Sequence, residues 1–211
     1  MAPFGAWFME NIGLLTEQAV QHLNIALTGL FFGILLWVPA GFFIRHNEEI
    51  ANTFSNVSGV VLTIPSLALI PALIPLLGIG QTPAIVALVA YSALPIGRST
   101  YLGLQTVDSS VLEVARGMGM SNRGVLLRVQ IPLAIPVIMS GIRQAAVLLI
   151  AITTVTAYFG AGGLGTSIFA GIRLNNSAQI ISAAVVISAL AVATNTLLLG
   201  AQRYLSGKDV Y

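Results

Sequence analysis

Five stretches of this chain are long and apolar enough to cross a lipid bilayer, which leaves little freedom in what it can fold into. A spanning helix needs roughly 20 apolar residues. The stretches run from about Leu23 to Ile44, Phe54 to Leu77, Ala84 to Leu104, Ala134 to Phe159 and Ala178 to Leu199, and none holds an aspartate or glutamate. Their length and lack of strict alternation indicate helices, because lipid offers backbone polar groups no partner. The whole chain is 56% hydrophobic and 8% charged, against about 25% charged residues in soluble domains. The expectation is an all-α integral membrane protein with one domain over residues 1–211. It divides into an outer surface segment (1–22), a five-helix core (23–200) with a cytoplasmic loop at 106–133, and a cytoplasmic tail (201–211).

The cations set the orientation. With the segments after spans one, three and five inside, Arg45, Arg116, Arg123, Arg128, Arg203 and Lys208 are cytoplasmic and only Arg173 lies outside. The positive-inside rule then predicts an outside N-terminus and an inside C-terminus. Arg98 and Arg143 fall near the cytoplasmic ends of their spans, where they can snorkel or pair. The net charge of +2 gives no reason to expect a nucleic-acid partner, and the absence of cysteine excludes disulfides and thiolate chemistry. Before the first span, Glu10 and Glu17 interrupt the apolar residues, while Trp7, Phe8, Ile12, Leu15 and Ala19 share one helical face. This pattern predicts a short helix lying on the outer membrane surface.

The longest charged segment lies between spans three and four. Ser110 and Glu113 have the spacing of a capping box, and Val111, Val114, Ala115 and Met118 follow as one apolar stripe. Gly119 stands where a left-handed residue would end the helix. Ser121 can cap a second short helix, expected to finish before Pro132. Glu113, Ala115, Gly119 and Pro132, with apolar Val114, Val129 and Ile131 between them, resemble the cytoplasmic "EAA" loop of ABC importer permeases. His22-Leu23, Ile64-Pro65-Ser66-Leu67-Ala68, Gly78-Ile79-Gly80 and the Gly160 to Gly165 run are similar to permeases of osmoprotectant importers for betaine, choline or carnitine.

The resemblance implies a type I ABC importer permease fold, five transmembrane helices plus short cytoplasmic coupling helices, in a bacterial cytoplasmic membrane. It implies that Glu113, Ala115, Arg116, Gly117, Gly119, Arg123 and Pro132 couple to the ATPase. The implied partners are two ATPase subunits, which carry the ATP and magnesium, a second permease (identical or sister) and an extracytoplasmic binding protein. Since the chain stops at Tyr211, that binding protein is expected to be a separate polypeptide. A methionine or other amino-acid permease is the alternative within this class. A secondary transporter or channel subunit is the alternative outside it, disfavoured because such carriers often bury a titratable carboxylate.

The remaining signals are local. Lys208 lacks the glycine spacing of a phosphate-cradling loop, so ATP hydrolysis is not expected of this chain. Gly160, Gly162 and Gly165 match a dinucleotide fingerprint, but they follow a membrane helix and no acid lies about twenty residues on. A flexible outer turn is the reading there. His22 and His46 stand apart near opposite membrane faces, and no metal site is expected. Gly29 and Gly33 permit close helix approach, first of all within the chain. Pro65, Pro71 and Pro75 free carbonyls in the second span. Pro65, Ser66, Tyr91, Ser92, Thr153, Thr154, Tyr158 and Asn195 are therefore candidate pathway residues. Tyr91 and Tyr158 have the aromatic faces that a quaternary ammonium needs.

Overall fold

The computed structural model describes residues 4–205, and those that take up regular structure are helical. Residues 206–211, with Lys208 and the end of the expected tail, lie outside the described residues. Helix α1 (Phe4–Glu10) leads into α2 (Ile12–Ile44), followed by α3 (Glu48–Thr63) and α4 (Ser66–Leu77). Next come α5 (Gln81–Ala93) and α6 (Ser99–Gln105), joined by a π-helical turn at Leu94–Arg98. The loop carries α7 (Ser109–Gly117) and α8 (Asn122–Val125). A second π turn, Leu126–Gln130, runs into α9 (Ile131–Thr156), and α10 (Gly165–Arg173) and α11 (Ser177–Leu205) complete the chain.

Small residues bring the spans together. A Cβ on Gly29 would lie 2.7 Å from Leu88 Cβ, and one on Gly41 would lie 2.8 Å from the Gly97 carbonyl oxygen. Gly33 faces Ser92 in the same row. This stripe seats α2 against α5 and the π turn, so the glycine pair serves packing within the chain. Trp37 Nε1 donates to the Val89 carbonyl across the contact at 2.7 Å. Lipid tails are as apolar as leucine, so close van der Waals packing and such interhelical bonds supply the specificity. On the other side α9 fits against the π turn, with Gly141 under Pro95 and Ser99.

Three elements differ from expectation. Residues 12–22 continue the first span instead of forming a separate surface helix. At 33 residues, α2 is about 50 Å long at 1.5 Å per residue, more than the roughly 30 Å hydrocarbon core. Its first turns have length to spare for the interface. The face bearing Trp7, Phe8, Leu15 and Ala19 packs on Leu164, Ile168, Ala183 and Ile187 of the chain itself rather than on lipid.

The second span is broken. Ile64 is extended at φ −68°, ψ 122°, as the residue before a proline prefers, and α3 and α4 meet at 97°. The carbonyl of Ile64 is recovered by the Tyr91 hydroxyl, which donates to it at 2.8 Å. Finally, the helix begun at Asn122 does not finish before Pro132 but runs unbroken to Phe159. The π turn immediately ahead of Pro132 widens the backbone and shifts its hydrogen-bond register there, so the helix continues past a residue that has no amide to donate.

The ends of the helices define two faces. Arg45 and His46, after α2, line a cavity with Leu104, Arg116 and Gln130, and Gln130 Nε2 donates to the Leu104 carbonyl. Near the end of α11, Gln202 accepts from Arg143 at 2.8 Å and donates to the Pro136 carbonyl at 3.2 Å. At the opposite face Gln21, in the first half of α2, meets the glycine turn after α9, and Ile79 lies beside Gly160. The bent α3–α4 pair leads from the first face to the second, so the chain crosses between them five times, the pair counting as one span.

Candidate coupling surface

The loop folds by local rules. The N-cap of α7 is Asp108, whose side chain accepts from the Ser110 amide at 2.8 Å. This corrects the capping box expected at Ser110 and Glu113: both lie inside the helix, and Asp108 stands two residues earlier with an equally good cap side chain. The amide and hydroxyl of Ser110 hold the Asp108 carboxyl below the usual carboxylate range. At the other end, Gly119 has φ +85°. Its amide bonds the Arg116 carbonyl at 2.9 Å, and the Met120 amide bonds that of Ala115 at 3.2 Å. These are the paired bonds of a Schellman motif, which needs a left-handed residue at Gly119. Ser121 then caps α8, its Oγ accepting from the Gly124 amide at 3.2 Å.

Only one face of this unit is anchored. Ala115 and Val125 are buried, whereas Val111, Val114, Met118 and Leu127 are exposed, Met118 at 73%. The apolar stripe expected on α7 therefore points mostly away from the chain. Glu113, Arg116, Gly117, Gly119, Arg123 and Pro132 are exposed as well. Gly119, Arg123 and Arg128 line one hollow with Met118 and Leu127, while Arg116 borders the cavity that also holds Arg45. An exposed apolar row flanked by cations and ended by a rigid turn is suited to seat against another protein.

The candidate pathway residues divide differently. Pro65 and Ser66 stand at the bend, tied to Tyr91 through Ile64. Tyr91 is buried, as are Ser92 and Thr153. The latter two hydroxyls bond back to the Val89 and Leu149 carbonyls at 2.7 Å. Thr154 and Asn195 are half-buried. Tyr158 is 62% exposed and lies against Phe159 and Phe169, with ring centroids at 5.3 and 5.1 Å.

The glycine turn is tied down, contrary to the flexible turn expected. Gly160, Gly162 and Gly163 all have positive φ. Gln21 Oε1 accepts from the Gly163 amide at 2.9 Å, and Ser167 Oγ donates to Gln18 Oε1 at 2.6 Å. His22 is buried, its Nε2 2.9 Å from the Ile150 carbonyl oxygen. Sequence reading missed Gln18 and Gln21 altogether. The i, i+3, i+4 spacing of Gln18, Gln21 and His22 on one helical face was the signal available.

Residues 25–208 match the family described as binding-protein-dependent transport system inner membrane component. The chain is 43% identical to the carnitine transport permease protein OpuCB of Listeria monocytogenes, over 88% of this chain and 85% of the relative. It is 40% identical to the choline transport system permease protein OpuBB of Bacillus subtilis (strain 168), over 95% and 92% respectively. The fold is similar to a chain of the inward-facing MetNI methionine ABC transporter, with a TM-score of 0.82, 21% identity, and 94% of this chain and 99% of that one covered. With five crossings, a half-anchored loop between the third and fourth, and a family match spanning most of its length, the chain belongs to the inner-membrane components of binding-protein-dependent transport systems.

Proposed function

We propose that this chain is the permease subunit of an ATP-driven importer of small quaternary-ammonium osmoprotectants such as glycine betaine, carnitine and choline. The observation that carries the reading is the 43% and 40% identity, across most of the chain, to relatives named for carnitine and choline transport. The methionine alternative has only a likeness of fold behind it, at 21% identity. The carrier or channel alternative has no support from the family match.

In this reading the face bearing α7 is cytoplasmic, which puts the N-terminus outside and the C-terminus inside. Two ATPase subunits dock on the loop, one on this chain and one on a second permease, identical or sister. They hold the ATP and magnesium and perform the hydrolysis. Val111, Val114 and Met118 sit in an ATPase groove, with Glu113, Arg116 and Arg123 around them and Gly119 fixing the angle to α8. Movement of the ATPases is carried by α8, which is continuous with α9, into the packed spans. The two permeases alternate between outward and inward openings, and a separate binding protein delivers solute beside the glycine turn. Exposed Tyr158 offers an aromatic face there.

Reconstitution with the cognate ATPase and binding protein tests the proposal, with uptake of labelled betaine, carnitine, choline and methionine measured in proteoliposomes. ATP-dependent uptake of at least one quaternary amine, without methionine, is the expected result. Uptake of methionine alone would overturn the assignment.

A further inference from the structure

The cavity under α7 holds two cations: Arg116, at the border of the docking surface, and Arg45, which that surface does not use. It measures about 560 Å³ and is lined by Arg45, His46 and Arg116, and among the described residues no aspartate or glutamate lines it. Arg45 Nε donates to His46 Nε2 at 3.0 Å, so the imidazole accepts there and adds no compensating anion. Arg45 Nη1 is buried and has no hydrogen-bond partner among the described residues. A buried guanidinium nitrogen without a partner is costly, and the natural remedy is an oxyanion.

A second hollow, about 340 Å³, shares Arg45, His46 and Leu126 with the first and is otherwise walled by Phe42, Phe43 and Ile131. Phe43 is 81% exposed in the last turn of a span of mean hydropathy 2.1, an apolar ring that no part of the described chain covers. A cationic cavity at the end of a span thus opens into an apolar groove along that span. We propose that the two hollows together bind one anionic phospholipid, its phosphate between Arg45 and Arg116 and an acyl chain along Phe42, Phe43 and Ile131. A carboxylate from a docked protein would fill only the cationic half. Two guanidiniums favour a headgroup with net negative charge over a zwitterionic one.

Arg45 follows α2 and Arg116 belongs to α7, so the bound headgroup ties the loop to the first span. Anionic lipid then steadies the docking helix and raises the coupling of ATPase activity to solute. That consequence rests on the docking role proposed above; the lipid site itself does not.

The test uses the assembled transporter in nanodiscs of phosphatidylcholine with graded phosphatidylglycerol. Retained phosphatidylglycerol is counted by native mass spectrometry, and binding-protein-stimulated ATPase activity is followed in parallel. Arg45→Gln removes one charge-assisted contact, and retention should weaken about tenfold. Arg45→Lys should restore part of it, and Arg203→Gln, a cation outside both hollows, should change nothing. Equal retention in Arg45→Gln, or an equal loss in Arg203→Gln, overturns the site. Displacement of the lipid by inorganic phosphate would make this a phosphate site and overturn the lipid assignment. Loss of lipid with unchanged ATPase stimulation overturns the coupling role.

Should Arg45→Gln fail to assemble, Phe43→Trp keeps the cations intact. Its added fluorescence should be quenched more strongly by phosphatidylglycerol brominated on the acyl chain than by brominated phosphatidylcholine at the same fraction. Equal quenching refutes the groove. None of these readouts depends on which solute is carried, so failure here leaves the importer assignment standing.

Discussion

The two ends of the span α9 are built on opposite plans. At one end the glycine turn and the α9 residues before it are bonded to a helix 128 to 149 residues away: Gln21 holds the Gly163 amide, Gln18 accepts from Ser167, and His22 reaches Ile150. At the other end the bonds within α7 and α8 are local, from Asp108 to Ser110, Ser121 to Gly124, and Gly119 and Met120 back to α7. Ala115 and Val125 anchor the unit, whereas Val111, Val114 and Met118 are left uncovered. Long-range bonds fix an element to its own chain, while local caps fix its shape and leave one face free. The first plan suits a wall of the membrane domain, and the second suits a part that another protein must complete.

The comparison breaks first if the two ends lie on one side of the membrane. The chain has no cysteine, so single cysteines at exposed Ser121 and Thr166 report sidedness with an impermeant maleimide on intact spheroplasts. Ser167 is unsuitable, being buried against Gln18. The expected outcome is all-or-none: Thr166→Cys labels and Ser121→Cys is protected until the membrane is opened. The reverse pattern would invert the proposed orientation, and labelling of both from outside would dissolve the two-face description.

Substitution at one positive-φ glycine from each end sharpens the contrast. At Gly163, φ is +83° and a Cβ would lie 3.1 to 3.2 Å from His22. Gly163→Val therefore combines left-handed strain with overpacking, about 2–4 kcal/mol together. The assembled protein should melt at a clearly lower temperature. Around Gly119, at φ +85°, nothing lies within 4 Å of an added Cβ. Gly119→Asp costs about 1 kcal/mol, since aspartate tolerates the left-handed region better than most residues. It should insert and melt almost normally, yet transport should fall to background and solute stimulation of the ATPase should vanish, because the new charge faces the docking groove. Normal transport by Gly119→Asp would show that the loop does not couple to an ATPase.

How far these ends were legible follows from the range of their interactions. The five spans could be read because the bilayer demands roughly 20 apolar residues whatever the tertiary structure. Gly119 was readable because a helix stop is written in adjacent residues. The 97° break at Pro65 was not separable from Pro71 and Pro75, since all three interrupt hydrogen bonding and only the surrounding packing decides which one bends the chain. The π turn ahead of Pro132 had no signal beyond the proline itself. Gln18 and Gln21 look like two ordinary polar residues until the fold brings Ser167 and Gly163 to them. Asp108 and Ser110 competed for one cap on equal terms, and local propensity did not separate them.

That competition supplies the smallest effect and the finest test. If Asp108 alone closes the start of α7, Asp108→Ala should speed hydrogen exchange at the Ser110 amide a few-fold, whereas Ser110→Ala and Glu113→Gln should leave it nearly unchanged. The pH dependence has a definite sign. Hydrogen bonding from Ser110 lowers the Asp108 pKa from its ordinary value of 3.8. The carboxylate's contribution is therefore complete above that value and is lost as the pH falls through the lower, folded-state one. Protection of the Ser110 amide, corrected for the intrinsic exchange rate, should hold constant from neutral pH to about pH 5 and decline only in stronger acid. Asp108→Asn, which keeps an acceptor oxygen, should remove that acid dependence while retaining most of the protection. Equal acceleration by Ser110→Ala and Asp108→Ala would show that the serine shares the cap. The local order of the docking surface would then rest on two side chains rather than one.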